Sequence, residues 1–402
     1  MTDIVIIGAG QAGASLAIKL RALGHEGKLT LIGEESSPPY QRPPLSKGFL
    51  LGEMELDRLY LRPLSFWEEQ GVTLQIGEQV SSIERTAKTV RVGDKTIPYD
   101  QLALTMGSQP RCLPESIGGG LPGVYTVRTL ADVETMKPEF HRGRHMLIVG
   151  GGYIGLEAAA VGAKLGLKVT LIEMAPRILQ RVAASETSDY FRKIHTDHGV
   201  QIIENTGLAR LSGDTRVTGA VLSDGSEIDV DFIVVGVGIA PLTLLAEEAG
   251  LVIENGIHTD ELGRTSDPNI WAAGDCTSFP HRGGRLRLES VGHAIDQAET
   301  VAQNMLGAMV PYCAKPWFWS DQYDVKLQIA GLNTGYDRVI TRKGDSESIS
   351  FWYYKGDTLL AVDAMNDARA YMIGKRLIEA DKSPDPAIIA ELGTDLRMLL
   401  KI

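Results

Sequence analysis

The same glycine pattern, Gly-x-Gly-x-x-Gly, occurs twice in this chain, each time directly after a short apolar run. The first copy is GAGQAG at 8–13 after IVII at 4–7, and the second is GGGYIG at 150–155 after MLIV at 146–149. Each copy predicts a strand, a tight turn and a helix, because the glycines allow the turn and let the helix pack closely on the strand. The unpaired amides and positive dipole end of such a helix form a site for a pyrophosphate.

An acidic residue ends the second apolar run of each copy. Glu34 lies 26 residues after Gly8, and Glu173 lies 23 residues after Gly150. This is close to the spacing at which the acid of such a motif accepts hydrogen bonds from a ribose. A single glycine pattern also occurs at ordinary strand-to-helix turns, but two copies with correctly spaced acids predict two bound dinucleotides. We expect the two dinucleotides to be a flavin that stays bound and a nicotinamide that binds and then dissociates.

Length and charge limit the function classes. A chain of 402 residues predicts two or three domains. Its 51 acidic and 40 basic residues give a net charge of −11, which argues against a nucleic-acid partner. The first strand begins by Asp3, so we expect no signal peptide. The longest apolar run, at 232–245, is short and interrupted by glycine and proline. We therefore expect no membrane span and a cytoplasmic location.

The spacing of the cysteines and histidines predicts neither a disulfide nor a metal site. Cys112, Cys276 and Cys313 form neither a C-x-x-C nor a C-x4-C pair, so we expect neither a structural disulfide framework nor a redox dithiol. His195 and His198 lie three residues apart near a predicted helix end. Solvated imidazoles at a helix terminus are a better interpretation than a metal site, and no metal is predicted.

The remaining patterns predict shorter elements. Alternating residues after the first glycine unit predict short antiparallel strands at 73–76, 80–83, 89–92 and 95–99. The section from Pro316 onward predicts a small α+β cap, with strands near 326–330, 339–342, 348–354 and 359–364 and a helix at about 367–380. Further helices are predicted at 14–23 and 292–306.

Several local motifs make the whole chain similar to one family. They are PPLSK at 43–47, GGGYIGLE at 150–157, WAAGDC at 271–276, ESV at 289–291 and PWFWSDQY at 316–323. The chain resembles the flavin-dependent ferredoxin reductases that serve oxygenases, the putidaredoxin reductase type, among the glutathione-reductase-like flavoproteins. The resemblance implies an α/β fold in which an NAD-binding domain at 111–239 is inserted into a discontinuous FAD-binding domain at 1–110 and 240–315. A C-terminal α+β domain at 316–402 follows.

The resemblance also implies roles for individual residues. Positions that match FAD contacts are Gly8, Gly10, Ala12, Gly13, Glu34, Arg42, Lys47, Val80, Arg128, Asp275, Val291 and Trp319. Positions that match NAD contacts are Gly150, Gly152, Tyr153, Ile154, Gly155, Glu173 and Gly238. The catalytic positions are Lys47, Glu157 and Tyr153. The resemblance implies that Lys47 lies beside flavin N5, paired with Glu157, and that Tyr153 is an aromatic gate where nicotinamide arrives.

The choice of nicotinamide follows from Glu173. A 2′-phosphate placed there would meet a carboxylate, so NADH is expected in preference to NADPH. Arg177, four residues later, is a reservation, because an arginine can accommodate that phosphate.

The acceptor follows from the missing thiols. Disulfide-reducing relatives need cysteines beside the flavin, and the loop at 42–47 has none. Electrons are therefore expected to leave FAD one at a time for a 2Fe-2S ferredoxin, which supplies a haem monooxygenase or a Rieske oxygenase. An NADH oxidase, a rubredoxin reductase and a redox-sensing flavoprotein are the alternatives. A basic docking face is expected near the flavin edge, with Arg62, Arg282, Arg285 and Arg287 as candidates. The protein is expected to be a monomer or homodimer.

Overall fold

A computed structural model describes residues 2–344 and 348–401, which form two compact units. The first unit comprises the described residues up to Gln41, with Glu55–Gln109 and Ile239–Pro316. The second comprises Arg42–Met54, Pro110–Gly238 and the described residues from Trp317 onward. The three-domain division stays a prediction. The units change over at 109/110, 238/239 and 316/317, and Arg42–Met54 lies with the second unit.

The strands are short and are numbered in chain order. They are β1 Ile4–Ile7, β2 Leu29–Gly33, β3 Val72–Ile76, β4 Val80–Glu84, β5 Thr89–Val92, β6 Lys95–Pro98, β7 Gln101–Leu104, β8 Ser108–Pro110, β9 Val124–Tyr125, β10 His145–Val149, β11 Lys168–Ile172, β12 Gln201–Ile203, β13 Leu208–Ser212, β14 Gly219–Leu222, β15 Glu227–Asp229, β16 Phe232–Val235, β17 Ile239–Pro241, β18 Ile257–His258, β19 Ile270–Ala272, β20 Thr277–His281, β21 Gly284–Leu286, β22 Trp317–Gln322, β23 Val325–Gly331, β24 Arg338–Lys343, β25 Ile349–Lys355 and β26 Thr358–Met365.

The α-helices are likewise numbered in chain order. They are α1 Gln11–Ala22, α2 Leu64–Glu69, α3 Leu130–Met136, α4 Tyr153–Lys164, α5 Ser185–Asp197, α6 Leu244–Glu248, α7 Val291–Met305, α8 Ala368–Glu379 and α9 Pro386–Ala390. Within residues 2–344 and 348–401, no helix is both long and apolar enough to cross a membrane.

The first unit is built on a five-stranded parallel sheet in the order β19-β7-β1-β2-β3. Side chains alternate along β1, so its two faces enter different cores. Ile4 and Ile6 pack with residues of α1 and α7, whereas Val5 and Ile7 pack with residues of the antiparallel sheet β4-β5-β6. Burial on both faces explains why β1 is apolar without alternation.

One strand of this unit differs from its prediction. The segment predicted as antiparallel at 73–76 is β3, which pairs in parallel with β2 and forms the edge of the main sheet. The segments at 80–83, 89–92 and 95–99 do form antiparallel strands, as predicted. Alternation along β3 reflects an edge position with one exposed face, which periodicity alone does not distinguish from a hairpin strand.

The second unit repeats the parallel arrangement and adds an antiparallel sheet. Its parallel sheet has the order β12-β11-β10-β16-β9. Strands β13, β14 and β15, which lie between β12 and β16 in the sequence, form a small antiparallel sheet. The C-terminal part is the antiparallel sheet β22-β23-β26-β25-β24. Helix α8 packs against it through a core that includes Ile373, Leu377, Trp352 and Val362. The predicted α/β fold, with two Rossmann-like sheets and a C-terminal α+β region, is confirmed.

Candidate active site

The first glycine turn joins β1 to α1 and is shaped by contacts that leave no room for side chains. Gly8 has φ +106°, and a β-carbon there would lie 2.4 Å from the Thr105 carbonyl oxygen. A β-carbon at Gly13 would lie 2.0 Å from the Gly8 carbonyl oxygen, so only glycine allows α1 to approach so closely. At Gly10, by contrast, an added β-carbon would meet no atom within 4 Å. This is the open side of the turn, and it fits a pyrophosphate at the N-terminus of α1.

Three chain segments meet at the carboxyl edge of the first sheet. Since β1, β7 and β19 are neighbouring parallel strands, the segments after them lie side by side. They carry Gly8, Thr105 and Asp275 respectively, and the Ser108 hydroxyl donates to the Asp275 carboxylate over 3.0 Å. Ala12 packs against the turn at Gly274. The carboxyl edge of an open parallel sheet is where α/β proteins bind nucleotides.

The other predicted FAD positions of the first unit occupy different surroundings. Glu34 is exposed directly after β2, where its carboxylate is free to accept hydrogen bonds from a ribose. Val80 is the buried first residue of β4. Val291 is the first residue of α7, and Ser290 before it caps the helix by accepting a hydrogen bond from the His293 amide. These three positions stay predictions for FAD binding.

The second glycine turn reproduces the first in the other unit. Gly150 has φ +109°, and a β-carbon at Gly155 would lie 2.1 Å from the Gly150 carbonyl oxygen. A β-carbon at Gly152 would meet no atom within 4 Å. Gly152 directly precedes α4, so the open side of the turn again lies at a helix N-terminus. The residues present therefore fit a second dinucleotide.

The acid of the second motif is held rigidly by the backbone around it. Glu173 accepts hydrogen bonds from the Gly151 amide over 2.7 Å and from the Ala175 amide over 2.8 Å. Arg177 points elsewhere. Its guanidinium donates to the carbonyl oxygens of Ala183 and Ala184 and to the Ser188 hydroxyl. Three donated hydrogen bonds thus hold Arg177 against the start of α5, and its role toward a 2′-phosphate stays a prediction.

Tyr153 and its neighbours line the beginning of α4. The Tyr153 ring packs on Phe318 with ring centroids 4.9 Å apart, and its buried hydroxyl has no hydrogen-bond partner among the described residues. Burial raises the pKa of Tyr153 well above its ordinary value, whereas exposed Arg181 opposes this rise.

The other two predicted NAD positions are Ile154 and Gly238. The Ile154 side chain is 42% exposed. Gly238, with φ +102°, accepts a hydrogen bond from the Arg111 amide.

The predicted pair of Lys47 and Glu157 is present. Lys47 follows the 3₁₀ turn Pro43–Ser46, Glu157 lies on α4, and the Lys47 Nζ to Glu157 Oε2 distance is 2.7 Å. Glu157 is only 2% exposed and accepts two more hydrogen bonds, from the Ser46 hydroxyl over 2.6 Å and from the Ser320 hydroxyl over 2.7 Å. Burial of the carboxylate is tolerated because an ammonium group and two hydroxyl donors compensate its charge.

Arg42, Arg128 and Trp319 also belong to the second unit. Arg42 donates to the Arg128 carbonyl oxygen over 2.7 Å, which ties the segment after Gln41 to the start of the NAD region. Trp319 is partly exposed and stacks on Trp317, with centroids 5.4 Å apart. The twelve predicted FAD positions therefore belong to both units. Their role as FAD contacts stays a prediction.

The cysteines are not arranged for dithiol chemistry. Cys276 is fully buried, and burial raises the pKa of its thiol to about 12. Cys112 and Cys313 are exposed and unpaired thiols. The described residues contain no group of three or more ligands able to hold a metal. Both ring nitrogens of His195 are hydrogen-bonded, one to Gln322 and the other to Tyr323.

The four arginines of the candidate basic face differ in exposure. Arg285 donates to the carbonyl oxygens of Thr259 and Ser278, and Arg287 pairs with Glu289. Arg62 and Arg282 are exposed, and Arg62 donates to the Leu61 carbonyl oxygen and lies over the Phe66 ring. A docking role for these four arginines stays a prediction.

Comparison with known proteins identifies the family. Residues 2–298 match the family model for pyridine nucleotide-disulphide oxidoreductases, and residues 317–400 match the model for the reductase C-terminal domain. The chain belongs to the pyridine nucleotide-disulphide oxidoreductase family.

Its relatives within this family are reductases of oxygenase systems. The chain is 40% identical to rhodocoxin reductase of Rhodococcus erythropolis, over 99% of this chain and 94% of that protein. It is 41% identical to the 5,5'-dehydrodivanillate O-demethylase ferredoxin reductase subunit of a Sphingobium species, over 99% and 98%. The crystal structure of the covalent putidaredoxin reductase–putidaredoxin complex matches with a TM-score of 0.95 at 35% identity, over 100% of this chain and 98% of that chain. The resemblance to putidaredoxin-type reductases is confirmed.

Proposed function

We propose that the protein is an FAD-dependent NADH:ferredoxin oxidoreductase that passes electrons one at a time to the 2Fe-2S ferredoxin of an oxygenase system. Full-length similarity to the ferredoxin reductases of such systems carries this assignment. Two further observations support it. Each glycine turn is open on the side that faces a pyrophosphate, and no described cysteine pair is able to accept electrons.

The second unit binds NADH through the turn at Gly150–Gly155 and through Glu173. The amides at the start of α4 receive the pyrophosphate, and the Glu173 carboxylate receives the ribose hydroxyls. Because Gly151 and Ala175 fix that carboxylate, it does not turn away to admit a 2′-phosphate. With Arg177 held in place by other acceptors, the site favours NADH over NADPH.

Lys47, Glu157 and Tyr153 prepare the reaction site. FAD, when bound, accepts a hydride from NADH and releases the two electrons singly. Lys47 supplies a cation that favours electron density on the flavin, and Glu157 holds its ammonium group in place. Tyr153, fixed by packing on Phe318, gates the nicotinamide position. The task of these side chains is orientation and electrostatics rather than proton transfer.

The acceptor is a protein docked from outside, since no internal thiol relays the electrons. An acidic 2Fe-2S ferredoxin meets a basic face, for which Arg62, Arg282, Arg285 and Arg287 are the candidates. The ferredoxin then supplies a haem monooxygenase or a Rieske oxygenase. We place the protein in the cytoplasm, as a monomer or homodimer.

Anaerobic reduction of purified holoenzyme by NADH, followed by addition of 2Fe-2S ferredoxins, tests this function. Bleaching of the ferredoxin spectrum at catalytic enzyme concentration is expected. Rapid NADH consumption with oxygen, without reduction of any ferredoxin in the panel, would instead identify an NADH oxidase. Reduction of rubredoxin alone would identify a rubredoxin reductase.

A further inference from the structure

A chain of buried hydrogen bonds extends from Glu157 to the far end of α5. Its members after Glu157 are Ser320, Gln322, His195 and Tyr323. The heavy-atom distances are 2.7 Å from Ser320 Oγ to Glu157 Oε1, 3.0 Å from Gln322 Nε2 to Ser320 Oγ, 2.8 Å from His195 Nε2 to Gln322 Oε1, and 3.2 Å from Tyr323 OH to His195 Nδ1. All of these atoms belong to the second unit.

This chain of hydrogen bonds forms because alternate side chains of β22 project from the same face of the strand. Residues two apart on a strand point the same way. Phe318 contacts Tyr153, Ser320 contacts Glu157, and Gln322 contacts His195. One face of a single strand thus engages both α4 and α5. Ser320 and His195 are fully buried, and Gln322 is 1% exposed, so none of them exchanges its partner for bulk water.

Every donor in this chain of hydrogen bonds is oriented toward Glu157. The Gln322 oxygen can only accept, so His195 Nε2 carries the hydrogen and its Nδ1 accepts from the Tyr323 hydroxyl. Burial lowers the pKa of His195 to about 4, so the imidazole is neutral at physiological pH and keeps this tautomer. The Gln322 amide must then direct its N–H at Ser320, which directs its own hydroxyl at the carboxylate.

We infer that His195 is a positioning residue for the ion pair of Lys47 and Glu157. It acts through Gln322 and Ser320, by holding a hydroxyl donor against the second carboxylate oxygen. The inference rests on the proposed function, in which Lys47 serves the bound flavin. The chain is a positioning device rather than a proton relay, because an amide such as that of Gln322 has no readily exchanged proton to pass along.

The expected consequence is a change in the electrostatic field at the flavin. A carboxylate that loses one donor attracts the Lys47 ammonium group more strongly and draws it further from the flavin. Removing the donor at the far end of the chain should therefore lower the midpoint potential of the bound flavin. It should also slow flavin reduction by NADH, by at most the roughly tenfold that loss of the Ser320 hydrogen bond to the charged carboxylate would cause.

The test compares His195→Leu with His198→Leu in the holoenzyme. His198 stacks on Tyr323 at 3.7 Å between ring centroids but bonds to no member of the chain from Gln322 to Glu157, so it is the matched control. The midpoint potential of the bound flavin is measured by anaerobic dye equilibration. We expect a lower potential in His195→Leu and an unchanged potential in His198→Leu. Equal shifts in the two variants, or none in either, would overturn the inference.

A double-mutant cycle separates this role from a structural one. In a Lys47→Met background, His195→Leu should cause no further shift of the potential, because there is no cation left to position. The same shift in both backgrounds would overturn the inference. If His195→Leu does not fold, Ser320→Ala provides the same test at the residue that contacts Glu157 directly. Ser320→Thr keeps the hydroxyl and should restore the flavin potential that Ser320→Ala lowers.

These measurements need only bound flavin, so they are independent of ferredoxin reduction. If Lys47→Met itself leaves the potential unchanged, the inference fails together with the proposed role of Lys47, whatever the acceptor. If the wild-type protein fails to reduce ferredoxin but the cycle behaves as expected, the proposed function fails and the positioning role stands.

Discussion

Replacing Gly152 with alanine should weaken NADH binding with only a small loss of fold stability. Gly152 has φ −80° and ψ 178°, a conformation that alanine adopts freely, and the added methyl group would meet no protein atom within 4 Å. As the N-cap residue of α4 it costs about 0.5–1 kcal/mol to replace with alanine, because glycine is the better N-cap of the two. The same methyl group would stand where a pyrophosphate approaches the helix N-terminus. Loss of one hydrogen bond to a charged phosphate costs about 1.5–3 kcal/mol, or roughly 10- to 150-fold in affinity.

The assay is the dependence of the flavin reduction rate on NADH concentration, measured anaerobically by stopped flow. The apparent dissociation constant should rise by that factor, while the free energy of unfolding falls by no more than about 1 kcal/mol and the flavin content stays as in the wild type. Gly155→Ala is the matched control, because its β-carbon would lie 2.1 Å from the Gly150 carbonyl oxygen. It should lose about 1–3 kcal/mol of stability. Unchanged NADH affinity in Gly152→Ala, or unchanged stability in Gly155→Ala, would refute the assignment of the turn.

Three further predictions concern other parts of the chain. Glu173→Gln should narrow the preference for NADH over NADPH by about tenfold in kcat/KM, since one charge no longer repels the 2′-phosphate; an unchanged ratio would remove Glu173 as the determinant. Replacing Cys112, Cys276 and Cys313 together with serine or alanine should leave the rate of ferredoxin reduction unchanged, whereas its loss would reveal a thiol step. Burial raises the pKa of Asp363 from 3.8 to about 6, so the folded state holds this proton more tightly than the unfolded chain. Its contribution to stability should therefore be present below about pH 4 and should decline by about 3 kcal/mol as pH rises through 6. Urea denaturation from pH 4 to 7 should show this decline in the wild type, and a parallel profile in Asp363→Asn would contradict it.

The glycine turns could be predicted from sequence because their determinants are local. The positions that require glycine, such as Gly13 against the Gly8 carbonyl, are fixed by contacts within a few residues. The acids at Glu34 and Glu173 follow at a regular spacing for the same reason, since each ends the strand next to its turn. Local spacing is therefore enough to predict both glycine turns and the position of the acid that follows each.

The pair of Lys47 and Glu157 could be predicted only from family resemblance. Its members lie 110 residues apart, and a lysine after a proline-rich loop has no local signature. The other donors to this carboxylate, Ser46 and Ser320, were missed for the same reason. Their hydrogen bonds span 111 and 163 residues, and serine is common enough that nothing in the sequence marks these two.

Two structural details also escaped sequence patterns. Strand β3 alternates like a hairpin strand, although its paired residues in β2 lie 43 positions earlier and the pairing is parallel. Arg177 has the residue type and position of a phosphate ligand, but its neighbours' carbonyl oxygens and the Ser188 hydroxyl already occupy its donors. In both cases the observed hydrogen bonding depends on which residues pack nearby in the folded protein. The periodicity of the sequence carries no information about those residues.

The most direct test of the account is to count electrons. Oxidised holoenzyme is titrated anaerobically with NADH while the flavin absorbance is followed. A flavin that passes electrons straight to an external carrier should be fully reduced by one NADH per FAD. Uptake of two NADH per FAD, with a thiolate–flavin absorption band at the half-way point, would reveal a redox-active disulfide and contradict the central claim.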